Sequence, residues 1–121
     1  MNNTTHFAKV SPATGRYVVE CNGLIIADTT QAIQLSESYH SKIMNPVIYF
    51  PRQSVNSSYL VATNKSTLCP IKGEANYYAL QTETCSIDQI AWSYQLPMKP
   101  LEPIAAYLAF YLDKATLSHY D

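Results

Sequence analysis

The chain has 121 residues, with eight basic and nine acidic side chains that leave a net charge of −1. That length supports one core without staples and excludes a second domain, and the near-neutral balance excludes the basic footprint of a nucleic-acid binder. Charged residues are 14% of the chain against roughly 25% in soluble domains, a deficit filled by neutral polar residues and ten tyrosines, which suits pockets and interfaces for planar or hydroxylated groups.

Met1 to Thr5 is polar and reads as a disordered tail, with a single domain over residues 6–121. The start has neither a basic n-region nor an apolar h-region, and no later run approaches the ~20 apolar residues of a membrane span. The expectation is a cytoplasmic protein without membrane contact. Phe7-Ala8-Lys9-Val10 begins a short strand before the turn signal Ser11-Pro12-Ala13-Thr14-Gly15. Residues 16–21 and 24–28 flank Asn22-Gly23, a pair that accepts the two positive φ angles of a type I′ turn, and so form a hairpin. Residues 31–35 alternate polar and apolar like a half-buried strand. Residues 36–45 read as an irregular or briefly helical connection closed by Pro46.

Val47-Ile48-Tyr49-Phe50 is a β-prone run cut off by Pro51, which cannot donate to a ladder and leaves Arg52 on the turn at the strand's end. Residues 54–67 are polar, with a short strand at 59–62. In Leu68-Cys69-Pro70-Ile71-Lys72-Gly73-Glu74, Pro70 biases Cys69 toward an extended backbone. Gly73 permits a positive φ or a close approach, so the hinge can aim Lys72. Residues 75–81 and 90–94 are strands separated by a turn at 82–88. Residues 101–106 make one helical turn, in which Pro103 is tolerated. Residues 107–112 alternate with a two-residue period, which favours a strand over a helix covering the whole stretch. Seven or eight short strands with Pro and Gly punctuation predict a mainly β fold.

The three cysteines, Cys21, Cys69 and Cys85, are odd in number and widely spaced, which fits reduced thiols. There is no C-x-x-C pair and no H-x-x-x-H, so no metal site is expected. Cys69 is a candidate nucleophile if Lys72 or Arg52 stabilises its thiolate; otherwise it is a small core residue. Arg52 and Lys72 either clamp a phosphate or carboxylate or pair with Glu37, Glu74 or Asp88 as structural ions. Trp92 and Tyr94 lie two apart and share a strand face, with Tyr49 or Tyr78 to complete an aromatic wall; the plain alternative is core packing. Glu74 beside Gly73 is a candidate general base. His40 and His119 read as solvated.

Tyr49-Phe50-Pro51-Arg52, Cys69-Pro70-Ile71-Lys72-Gly73-Glu74-Ala75, Ala91-Trp92-Ser93-Tyr94 and residues 104–113, in that order, resemble the family called domain of unknown function 427, which also carries a nucleotidyltransferase-like label. The resemblance runs from about His6 to Asp113. It implies a compact, antiparallel β-tent-like domain with at most short helical turns. It implies no activity: the chain has no G-x-x-x-x-G-K and no paired acidic residues to hold magnesium, and the zinc-binding cysteine pairs of related β-tent modules are missing. No cofactor is therefore expected. The chain departs from the family in a longer link between Glu37 and Pro46 and in Ile71, where an aromatic is common.

Three functions fit. The first is a module that binds an anionic or planar small molecule through Tyr49, Arg52, Lys72, Gly73, Trp92 and Tyr94. The second is an enzyme that uses Cys69 or Glu74 with Lys72 on a nucleotide-like or acyl substrate. The third is an interaction or assembly subunit that pairs with itself or a partner through tyrosines and strand edges.

Overall fold

The computed structural model describes residues 6–121; the tail expected over residues 1–5 lies outside the described residues. Eleven strands among the described residues form three antiparallel sheets, more strands than the seven or eight read from the sequence.

The first sheet has the order β11-β2-β3. β2 (Arg16–Cys21) and β3 (Leu24–Thr29) form the expected hairpin, with φ of 52° at Asn22 and 81° at Gly23. β11 (Thr116–Tyr120) joins the other edge of β2. The sequence reading had no strand there, because its one buried-type residue, Leu117, sits among polar neighbours. Long-range contacts recruit it: His119, exposed as expected, also stacks on Tyr17 with ring centroids 4.1 Å apart, and its Nε2 donates to the Thr14 carbonyl at 2.9 Å.

The second sheet places β4 (Ile33–Tyr39) between β1 (His6–Pro12) on one edge and β5 (Lys42–Ile43) and β6 (Val47–Tyr49) on the other. The irregular link expected over residues 36–45 is thus a strand end, a tight turn and a return strand. The turn rests on positive φ at His40 (52°) and Ser41 (66°), a left-handed conformation uncommon outside Gly, and no Gly stands there to signal it.

The third sheet is central. It runs β10-β9-β8-β7, from β7 (Leu60–Cys69), β8 (Gly73–Gln81), β9 (Ser86–Pro97) and β10 (Leu108–Phe110). β7 extends well past the short strand expected at 59–62. Its polar residues are compatible with a strand because β7 is an edge, paired on one side only and largely exposed. The helical turn falls at Lys99–Ile104 as a 3-10 turn, and residues 107–112 supply β10 as expected.

Reciprocal backbone bonds between Phe50 and Leu108, at 2.8 and 2.9 Å, tie β6 to β10, and a bridge between Ala27 and Val55 ties in the first sheet. Because side chains alternate along each strand, the central sheet buries two faces. One core gathers Val19, Ile26, Phe50, Leu80, Ile90 and Phe110; the other gathers Leu35, Tyr49, Tyr94, Leu101, Ile104 and Ala109. Each fully buried Leu, Ile or Phe contributes about 1.5–3 kcal/mol. Among the described residues, no helix is long and apolar enough to cross a membrane.

Candidate functional site

The cross-strand pairs Tyr77–Trp92 and Ala75–Tyr94 set the parity of the central sheet. Tyr77, Trp92 and Tyr94 face one core, with Trp92 and Tyr94 sharing a face as expected, while Tyr78 belongs to the other. Tyr49 arrives from β6 and completes the wall. The Trp92 indole N–H donates to the Tyr49 hydroxyl at 3.1 Å, with the rings edge-on. Tyr49 is 1% exposed, and burial pushes its phenol well above the ordinary range. The Tyr94 phenol is raised for the same first reason. On its other side Trp92 meets Tyr111, ring centroids 4.7 Å apart and tilted by 54°.

Cys69 and Gly73 close the β7–β8 hairpin, and Lys72 stands on its turn. Gly73 uses both freedoms expected of it. Its φ is +113°, and an added Cβ would lie 3.1 Å from the Leu96 carbonyl oxygen and from the Pro97 Cα. The turn aims Lys72 at Glu37, with Nζ 2.9 Å from Oε1 and 6.0 Å above the Tyr94 ring. The other Glu37 oxygen lies 2.6 Å from His6 Nε2. Burial alone would push both charged groups toward neutrality, but the hydrogen bonds prevail. The Lys72 ammonium is held above its usual range by Glu37, and the Glu37 carboxyl below its own by His6 and Lys72. Of the three carboxylates that the sequence offered Lys72, the fold selects Glu37.

Cys69 is half-buried close enough to Lys72 and Tyr94 to act on both electrostatically. Glu74 is exposed and projects from the face opposite Ala75 and Tyr94, away from that cluster. Arg52 donates from Nη2 to the Tyr78 hydroxyl at 3.1 Å and lies 5.4 Å over that ring. Since Tyr78 and Tyr94 face opposite sides of the sheet, Arg52 and Lys72 do not meet in one cradle. The pairing imagined from the sequence is divided by β8 itself.

Trp92 also lines a predominantly apolar cavity of about 250 Å³ at the seam between the two cores, where all three sheets converge. Val19, Ile48, Phe50, Trp92, Phe110 and Tyr111 form its walls, with Asn45 at its rim. Of the residues singled out from the sequence as a site, Trp92 lines it; the rest are missed because they come from β2, β6, β10 and the segment after β10, and no local pattern joins those segments. A more polar groove of about 490 Å³ lies between the Asn22-Gly23 turn and residues 82–84, with Tyr59 against it. Among the described residues, no three His, Cys, Asp or Glu side chains gather as a metal-binding group.

Residues 9–120 match the family described as a domain of unknown function (DUF427), and the chain belongs to that family. No curated protein matches it.

Proposed function

We propose that this family member is a small-molecule binding module whose ligand is planar and largely apolar and sits in the seam cavity against Trp92. The observation that carries this reading is the cavity wall: an indole fixed by Tyr49 on one side and Tyr111 on the other borders an apolar space of about 250 Å³. Preformed concave sites with aromatic walls and few polar groups are the usual form of a ligand pocket, and this one lies just below the ~300–1,000 Å³ of drug-sized pockets. It suits one or two fused rings. The Asn45 amide at the rim offers a donor and an acceptor to orient a heteroatom.

The ligand's charge, if it has one, stays outside the cavity, since Lys72 is matched by Glu37 and Arg52 lies on the other face of the sheet. The same pairing weighs against catalysis by Cys69. A cation already hydrogen-bonded to a carboxylate does little to stabilise a thiolate, and Glu74 lies apart from both.

A thermal-shift screen against uncharged aromatic heterocycles, followed by quenching of the single tryptophan, tests the proposal. A ligand at 100 times its Kd adds about 2.7 kcal/mol, a shift of several degrees in a domain this size. Ile48→Phe, which fills the cavity and leaves the indole in place, is expected to abolish both signals, and Arg52→Ala to keep them. Signals that persist in Ile48→Phe would move the ligand elsewhere, and a screen with no shift at all would remove the binding reading.

A further inference from the structure

Two of the three thiols are neighbours, at the core on the opposite face of the central sheet from Tyr94, over which Lys72 lies. Cys21 ends β2, directly before the Asn22-Gly23 turn, and Cys85 ends the turn that leads into β9. The Asn22 side-chain amide donates to Cys85 Sγ at 3.2 Å across 63 positions of sequence. Cys21 belongs to the core against which Cys85 packs, and the residue that follows it, Asn22, touches Cys85 Sγ directly. Cys21 also donates to the Lys114 carbonyl at 3.6 Å.

We propose that Cys21 and Cys85 are a redox-modification site, closing to a reversible disulfide when a low-molecular-weight disulfide of the glutathione class is present. The roles follow from exposure. Cys85 is partly exposed and Cys21 is 7% exposed, so Cys85 meets the oxidant first. Its thiolate attacks one sulfur of glutathione disulfide, forming a mixed disulfide and releasing one glutathione thiolate, which takes up a proton. The Asn22 N–H points at the sulfur that carries negative charge during that attack. Burial raises the Cys21 thiol and keeps it protonated and unreactive toward solvent. Once Cys85 is capped, Cys21 loses its proton, attacks Cys85 Sγ and expels the second glutathione. Two protein thiols are oxidised by two electrons, one glutathione disulfide is reduced to two glutathiones, and the two thiol protons end on them.

The bond would tie the Asn22-Gly23 turn to the 82–85 turn, the two walls of the polar groove of about 490 Å³. This groove shares no lining residue with the seam cavity, and Trp92 lines only the latter.

The test uses the full chain with glutathione disulfide, alkylation of remaining thiols and peptide mass spectrometry. The expected product is a Cys21–Cys85 linked peptide, with two glutathiones released per chain, Cys69 alkylated, and full reversal by dithiothreitol. A long closed loop should raise the unfolding midpoint by roughly 10 °C. Cys21→Ala, a small apolar replacement, is expected to trap glutathione on Cys85, and Cys85→Ser to leave Cys21 unmodified. Glutathione retained on Cys85 in the unmutated protein, a link to Cys69 instead, or thiols unchanged while a model dithiol is oxidised would each overturn the proposal.

Discussion

The Lys72 ammonium, on the turn between β7 and β8, lies 2.9 Å from the carboxylate of Glu37 on β4 and so joins the central sheet to the second sheet. The two side chains keep only 18% and 12% of their exposure, so breaking the pair leaves a poorly solvated charge. Glu37→Gln is expected to cost about 2 kcal/mol, below the ~3–5 kcal/mol of a fully buried pair. Lys72→Met should cost less, because Glu37 keeps His6. Urea unfolding of both variants and of the double variant measures this. A double variant no more stable than the sum of the singles predicts would show that the pair contributes no coupling.

The same pair sets a pH dependence with two edges. The folded-state pKa of Glu37 lies below its unfolded value, so its contribution is complete above the unfolded value of ~4.3 and is lost as pH falls through the folded one. The folded-state pKa of Lys72 lies above its unfolded value, so its contribution is complete below ~10.4 and is lost as pH rises through the folded one. The stability difference between the unmutated protein and Glu37→Gln is therefore expected to shrink as pH falls below about 5 and as it rises above about 10. A difference that stays constant down to pH 3 would detach it from the Glu37 carboxylate.

Tyr49→Phe removes the acceptor of the Trp92 indole N–H while preserving nearly all of the packing of a side chain that is 1% exposed. A net loss of about 1 kcal/mol is expected. Because Trp92 is the single tryptophan, its emission reports the change directly and should shift in Tyr49→Phe. An unchanged spectrum would mean that Tyr111 and the sheet hold the indole without help from Tyr49.

The elements legible in the sequence were those fixed by short-range chemistry. Asn22-Gly23 declared its hairpin, Pro51 placed Arg52 on a turn, and the two-residue spacing of Trp92 and Tyr94 put them on one face. The missed features depend on distant partners. β11 exists because β2 offers it an edge, and the β4–β5 turn hides behind His40 and Ser41 in a conformation neither residue advertises. The separation of Arg52 from Lys72 follows from which of Tyr77 and Tyr78 faces Trp92, a register set between β8 and β9. The seam cavity draws on five strands, β2, β6, β9, β10 and β11, that are spread over most of the sequence.

That separation is measurable. Arg52→Ala removes a hydrogen bond and a cation–π contact at Tyr78, together worth about 1 kcal/mol at a partly exposed site. Combined with Lys72→Met, the effects should add to within about 0.5 kcal/mol, as for sites without shared partners. A larger coupling would restore a common anion cradle.

Gly73 and Gly23 both have positive φ, but their surroundings differ, and so should the cost of a methyl group. Gly23, at +81°, has no heavy atom within 4 Å of an added Cβ, so Gly23→Ala costs only the backbone conformation, about 1–2 kcal/mol. At Gly73 the angle is +113°, and the added Cβ meets two backbone atoms of the β9 end, Leu96 O and Pro97 Cα, each at 3.1 Å. Neither atom can swing aside as a side-chain tip would, so β9 must move, and with it the bond from the Met98 N–H to the Lys72 carbonyl at 2.9 Å. Gly73→Ala is therefore expected to cost more than Gly23→Ala, at least about 3 kcal/mol once the backbone conformation and the displaced hydrogen bond are combined. Urea midpoints at equal m-value compare the two. Equal losses would mean that the β7–β8 turn gives way freely, and Lys72 would then owe its aim to Glu37 rather than to the close approach at Gly73.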